Sequence, residues 1–190
     1  MVILDTTTLL LLIEPTSKPP KDPDTGKPLD RCKDRLEYLT KTLSEAGSRV
    51  VVPTPVLAEL LVGAGAARSA YLSELQASSV FQIISFDVKS AVELSFLLEA
   101  NNKPVKSKLS RVETWAKVKF DRQIIAIAKA HNISDIYTDD GHLTAVAEAN
   151  GVVVHHTWDL KLPPQDKQVE MELTVPKEPP EEEDDNEREG

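Results

Sequence analysis

The sequence predicts a three-layer α/β/α sandwich around a central, mainly parallel sheet of about five strands. Short runs rich in Val and Ile ("VIL", "VVVP", "VFQII", "DIY", "VVVH") recur without polar alternation, as in strands buried on both faces. Stretches with apolar residues at helical spacing separate these runs, the alternation that gives parallel strands joined by crossover helices. Asp5 and the neighbouring pair Asp139 and Asp140 stand where two of the runs end. Sheets of this kind place their sites beyond the carboxyl ends of the strands.

In chain order, the first strand is the apolar run that ends at Asp5. Residues 15–33, "PTSKPPKDPDTGKPLDRCK", are rich in Pro and Lys and read as an insertion outside the core. Leu36, Leu39 and Leu43 share one face of a helix expected over 35–46, which Gly47 stops. A second strand covers 49–53. Thr54 as N-cap and Pro55 at the first helical position then open the helix "TPVLAELLVGA". A helix over 68–77, a strand over 80–85 and a helix capped by Asp87 follow. A basic loop leads into the helix containing "FDRQIIAIAKAHN". The strand "SDIYTD", the short helix "HLTAVAEANG" stopped by Asn150 and Gly151, and the strand "VVVHH" complete the pattern. One domain is expected over 1–160, with a separate tail over 163–190.

The chain has 190 residues and a net charge of −9, unevenly spread. Residues 163–190 hold 11 acidic and 3 basic residues, whereas the rest holds 20 and 19. That tail has too few apolar side chains to bury and is expected to stay disordered. The remainder is nearly neutral, so overall acidity is no argument against a nucleic-acid substrate. No apolar run reaches the roughly 20 residues of a membrane span, and no membrane partner is expected. The first residues lack a basic start and a cleavage site, and Cys32 is the sole cysteine; a cytoplasmic location is the expectation. There is no H-x-x-x-H or C-x-x-C pair for zinc, and no G-x-S-x-G, dinucleotide or P-loop motif. "LDTTT" lacks the second acid of the D-x-D-x-T phosphatase loop, because Thr7 stands there.

Two further acids lie inside apolar helix segments: Glu59 in "VLAELLV" and Asp121 in "FDRQIIAIA". Acids in such segments are rare unless paired or bound to a cation. Each candidate has an ordinary structural alternative. Asp5 suits a helix cap, Glu59 a lysine pair, Asp121 a helix N-terminus, and Asp139 with Asp140 a turn before Gly141. Four acids at corresponding places of one α/β chain point instead to a shared site.

"VILDTTTLL", "VVPTPVLAELLVGA", "VKFDRQIIAIAKAHN" and "IYTDDGHL" resemble, in order, the four acidic motifs of the PIN domain. The resemblance spans residues 1–155 and is closest to VapC-like toxins of toxin–antitoxin systems. It implies a PIN-like sandwich and a metal-dependent endoribonuclease, the toxin of a type II pair, with Mg²⁺ or Mn²⁺ as cofactor. It makes Asp5, Glu59, Asp121 and Asp140 the acidic quartet, with Asp5 and Asp121 the strongest metal ligands. Glu59 would hold a second metal or orient the attacking water. Asp139 occupies the variable position of the last motif and is a secondary ligand. The resemblance further implies a cognate antitoxin and a homodimer.

Carboxylates suit hard divalent ions, which activate water and neutralise phosphodiester charge without a protein nucleophile. On the substrate side, Lys103, Lys106, Lys108, Arg111, Lys117, Lys119 and Arg122 face only Glu113 and Asp121 in opposition. This stretch is a candidate path for an RNA backbone, with Trp115 stacking on a base. Its plain alternative is a solvated helix face with Trp115 packed inside. Thr6 and Thr138 are candidates to hydrogen-bond a carboxylate or the scissile phosphate, and Lys18, Lys21 and Lys27 of the insertion are candidates for extra RNA contacts. The competing reading from another class is a non-catalytic PIN-fold module that binds RNA or protein. A flap-type DNA nuclease would need helical elements for which the chain is short. The acidic tail is a candidate mimic of phosphate on the basic stretch.

Overall fold

The computed structural model describes residues 1–14, 16–100 and 115–164, with side-chain surroundings for all of these but residues 100 and 115–119. Lys103, Lys106, Lys108, Arg111 and Glu113 of the basic stretch, and most of the acidic tail, lie outside the described residues.

Five strands, β1 (Val2–Leu4), β2 (Val50–Pro53), β3 (Phe81–Ile84), β4 (Asp135–Tyr137) and β5 (Val153–His155), form one sheet in the order β3-β2-β1-β4-β5. Every neighbouring pair is parallel. All residues of β1 and β2 are buried, so both faces of the sheet centre are covered, as continuous Val and Ile runs require. Strand order reverses between β1 and β4, where Ile3 stands opposite Ile136 and Leu4 opposite Tyr137. Ligands of open α/β sheets bind in the crevice at such a reversal.

Among the described residues seven helices connect the strands: α1 (Thr6–Ile13), α2 (Cys32–Glu45), α3 (Thr54–Gly63), α4 (Arg68–Ala77), α5 (Val88–Ala100), α6 (Trp115–Ala130) and α7 (Gly141–Ala149). The main core joins Ile3, Leu4, Val50 to Val52, Leu60, Ile125, Ile127 and Ile136, each fully buried. Among the described residues no helix is long and apolar enough to cross a membrane.

Several local signals act as the sequence predicts. Asp87 accepts the Ser90 amide at 2.8 Å and starts α5. Gly47 adopts a left-handed φ of 65° after α2, and Ser48 N–H returns to Leu43 O at 2.8 Å, a C-terminal stop that a residue with a Cβ would strain. Asp5 caps a helix, α1, whose Leu9 and Leu11 are buried in the core. Other signals differ. Thr54 does not cap α3; its hydroxyl accepts the Phe86 amide at 2.9 Å and ties α3 to the end of β3. Helix α2 starts at Cys32, earlier than its apolar spacing announces, so it takes in the last residues of the 15–33 segment.

That segment is folded onto the domain. Lys21 and Pro28 make an antiparallel bridge, and Asp22 accepts amides of Asp24 and Thr25 across the turn. Leu29 and Cys32 then join Leu11 and Leu36 in a second buried cluster, against which Trp158 and Leu160 pack. Arg35 hydrogen-bonds the Leu160 carbonyl beside it. The insertion thus anchors the chain that follows β5. Replacing fully buried Leu36 by Ala should cost about 2–5 kcal/mol, read by urea unfolding. Lys18→Ala on the exposed part should stay within about 0.5 kcal/mol.

Candidate active site

At the carboxyl edge of the sheet lies a cleft of about 520 Å³, lined by Asp5, Glu59, Asp121 and Asp140 together with Thr6, Val62, Phe120 and Leu143 among others. The chain brings these acids from four places. Asp5 follows β1, Glu59 sits on α3 after β2, Asp121 on α6 before β4, and Asp140 after β4. Crossover helices run antiparallel to the strands, so the start of α3 and the early part of α6 both lie at the carboxyl edge.

Asp5 is buried, and both of its carboxylate oxygens are engaged. Oδ1 accepts the Thr8 amide at 2.7 Å, capping α1, and Oδ2 accepts the Thr138 hydroxyl at 2.6 Å. Burial raises its pKa from 3.8 to about 6, outweighing the hydrogen bonds from Thr138 and Thr8 that pull the other way. Asp140 caps α7, its Oδ1 accepting the amides of His142 at 2.8 Å and Leu143 at 3.1 Å. The same Thr138 hydroxyl that donates to Asp5 accepts the Asp140 amide at 3.0 Å. Glu59 is exposed, and its Oε2 accepts the Thr6 hydroxyl at 2.6 Å. Asp121 is buried, with His142 Nδ1 placed 2.5 Å from its Oδ2.

Of the two contacts expected of Thr6 and Thr138, a carboxylate or the scissile phosphate, each makes the one to a carboxylate. Thr138 is fully buried and holds the Asp5 carboxylate and the Asp140 amide rather than reaching solvent. Thr6 lines the cleft but spends its hydroxyl hydrogen on Glu59. Asp139, expected as a secondary ligand, does not line the cleft. Its carboxylate accepts the Thr157 amide at 2.8 Å and the Thr157 hydroxyl at 2.6 Å, and His156 Nδ1 contacts the Thr138 carbonyl at 2.7 Å. The adjacent acids thus point to different tasks: Asp139 fastens the loop to the turn after β5, and Asp140 faces the cleft. Lys117 and Lys119 fall in the first turns of α6, but their side chains lie outside the described ones. Arg122 follows Asp121 but does not line the cleft.

His142 and Phe120 are contributors that the acidic pattern alone leaves out. Phe120 directly precedes Asp121 on α6 and supplies an apolar wall. His142 lies two residues past Asp140 in the first turn of α7, and no local pattern ties it to Asp121 on another helix.

Among the described residues no three His, Cys, Asp or Glu side chains close into a complete metal cage. The donor chemistry nevertheless fits a hard divalent ion: four carboxylates border one cleft, and Mg²⁺ retains several waters and needs only one or two protein carboxylates. A cation there would also offset the cost of keeping buried Asp5 ionised.

A family profile for the PIN domain matches residues 31–149, and the chain belongs to the PIN domain family. The match begins after Asp5, which reaches the site through the pairing of β1 with β4. In fold, the chain is similar to VapBC2 from Rickettsia felis, solved bound to a DNA fragment from its promoter. That likeness has a TM-score of 0.50 and 20% identity, covering 82% of this chain and 98% of the other. It is also similar to VapC20 from Mycobacterium tuberculosis, a toxin that cleaves the sarcin–ricin loop, with a TM-score of 0.47, 14% identity and coverage of 76% and 94%. At these identities the likeness is one of fold. No curated protein matches the sequence.

Two outcomes follow for the carboxylates. Folding holds a proton on Asp5 between its unfolded value of 3.8 and its folded value of about 6, so this group lowers stability as pH rises through that window. In EDTA, Asp5→Asn should therefore be more stable than the native chain at pH 7, by up to about 3 kcal/mol. The advantage should shrink towards pH 4, as read by urea unfolding at both pH values. Asp139→Ala leaves the buried Thr157 amide and hydroxyl without their acceptor and should cost about 1–3 kcal/mol. An unchanged unfolding midpoint would contradict the fastening role.

Proposed function

We propose that this chain is a divalent-metal-dependent endoribonuclease of the VapC toxin type, hydrolysing RNA phosphodiesters at the cleft. The observation that carries this reading is the convergence of Asp5, Glu59, Asp121 and Asp140 on one cleft at the β1–β4 reversal, in a chain of the PIN family. Asp5, Asp121 and Asp140 would hold Mg²⁺ or Mn²⁺, with Glu59 as a further ligand or as the group that orients water. Bound there, the ion supplies charge neutralisation for the phosphodiester and a more acidic water.

The protein's own groups have defined tasks in this reading. Thr8 and Thr138 fix both Asp5 oxygens, so the carboxylate meets its ligand without rotamer loss. Asp140 is immobilised by its cap contacts to α7. Glu59, exposed and held through one oxygen by Thr6, is suited to orienting the attacking water and taking up its proton. Val62, Phe120 and Leu143 make part of the cleft wall apolar, which strengthens electrostatic contacts to the phosphate. Lys117, Lys119 and Arg122 lead the RNA backbone towards Asp121, and the salt dependence of binding would report on them. Hydrolysis in this arrangement needs no covalent enzyme intermediate. An antitoxin that restrains the cleft and a second copy of the toxin are the partners this reading brings. It places the reaction in the cytoplasm, with the tail beyond residue 163 as an appendage to the nuclease domain.

The absence of a three-ligand cage among the described residues favours one rival, a PIN-fold module that binds RNA or protein without cutting. One experiment separates them: cleavage of total RNA in Mn²⁺ by the native chain and by Asp121→Asn, with EDTA controls. The nuclease reading expects cleavage that EDTA abolishes and that falls by at least about 100-fold in the variant, the loss of several kcal/mol of metal-borne stabilisation. RNA retained without cleavage by the native chain would establish the module. Equal cleavage by both proteins would reject Asp121 as a catalytic group.

A further inference from the structure

Helix α7 brings one residue against two of the four acids. The backbone N–H of His142 donates to Asp140 Oδ1 at 2.8 Å, and its imidazole Nδ1 lies 2.5 Å from Asp121 Oδ2. His142 is therefore the point where the β4–α7 turn and α6 meet at the site. Its side chain is about a quarter exposed (23%), while that of Asp121 is 9% exposed, so the contact is shielded rather than a loose surface pair. His142 does not itself line the cleft, whereas Asp121 does. The imidazole thus approaches Asp121 from beside the cleft.

We propose that His142 is a positioning residue of the metal centre: its Nδ1–H holds Oδ2 of Asp121, fixing the carboxylate in the orientation that borders the cleft. This rests on the metal-dependent reading above and adds a residue to it. The physical reason is orientation. An aspartate side chain without a fixed partner samples more than one rotamer, and a ligand that must be frozen on binding costs affinity. Residues that hydrogen-bond ligating carboxylates remove that cost in advance, and losing one typically lowers metal affinity 10–100-fold. A carboxylate accepts only, so the contact requires the proton to sit on Nδ1. The backbone bond to Asp140 does not depend on the side chain, so a substitution at His142 removes the Asp121 contact and leaves the α7 cap in place.

The test uses the full chain and Mn²⁺ alone as the probe. Calorimetric titrations compare the native chain, His142→Ala and His142→Asn, each checked for folding by thermal unfolding in EDTA. Asparagine places an amide N–H close to where imidazole carries Nδ1. The proposal expects Mn²⁺ affinity about 10–100-fold weaker in His142→Ala and largely restored in His142→Asn. Equal affinity in the native chain and His142→Ala overturns it while leaving the nuclease reading intact, and so does an equal loss in both variants. No Mn²⁺ binding by the native chain at millimolar concentration overturns the metal-dependent reading and this proposal together. A second measurement needs no variant: ¹⁵N spectra of the native imidazoles with and without Mg²⁺. The proton of His142 should remain on Nδ1 in both conditions. A proton found on Nε2 alone, or leaving Nδ1 when Mg²⁺ binds, overturns the proposal even if the variants fail to fold.

Discussion

The Thr138 hydroxyl joins the two halves of the cleft, donating to Asp5 across the β1–β4 pair while accepting the amide of Asp140. Remove that one oxygen and Asp5 loses a partner while buried, and the turn that carries Asp140 loses its anchor. The Asp5 amide also donates to the Tyr137 carbonyl, so backbone and side chain together lock the end of β1 to the end of β4. Residues Thr157 and His156 brace the same turn from the other direction through Asp139 and the Thr138 carbonyl. Asp5 and Asp140 thus rest on short polar contacts made where the central strands end, and the rigidity of the sheet is passed to them.

This arrangement has an electrostatic price, set mainly by burial. Asp5 is enclosed by the strand ends and α1, and desolvation dominates its shift even with two good donors present. A protein that needed only a helix cap at this position would be served by an uncharged serine or asparagine. Retaining a buried, ionisable group next to three further acids makes sense when a cation completes the set, which is the electrostatic rationale for the metal-dependent reading.

Much of the fold was legible because the parallel sheet leaves a plain trace: uninterrupted Val and Ile runs, each followed by a helix start or a turn. Asp87 and Gly47 announced their roles through local chemistry alone. The acids were visible as charged residues at strand ends and in apolar segments, while the motif resemblance grouped four of them and chose Asp140 over Asp139. What escaped was whatever depends on contact across the chain. Thr54 has every local mark of a cap, yet its partner Phe86 lies 32 positions away. Asp139 and Asp140 are the same residue type side by side, and only the chain after β5 tells them apart by supplying Thr157. His142 was unremarkable because its partner Asp121 belongs to another helix. For Thr138 the choice between a carboxylate and the scissile phosphate stayed open, because no sequence pattern reports that a strand-end hydroxyl is fully enclosed.

The insertion between α1 and α2 invites a practical use. Its return leg is pinned by Leu29 and Cys32 to the cluster that holds Trp158 and Leu160, while residues 23–28 at its tip are exposed. No described residue of the insertion borders the cleft. Exposed tips between anchored ends are where chains best accept extra sequence. An affinity handle or a fluorescent reporter placed between Asp24 and Gly26 would therefore ride on the domain without entering the active-site cleft. That gives a labelled protein whose terminal segments stay as encoded.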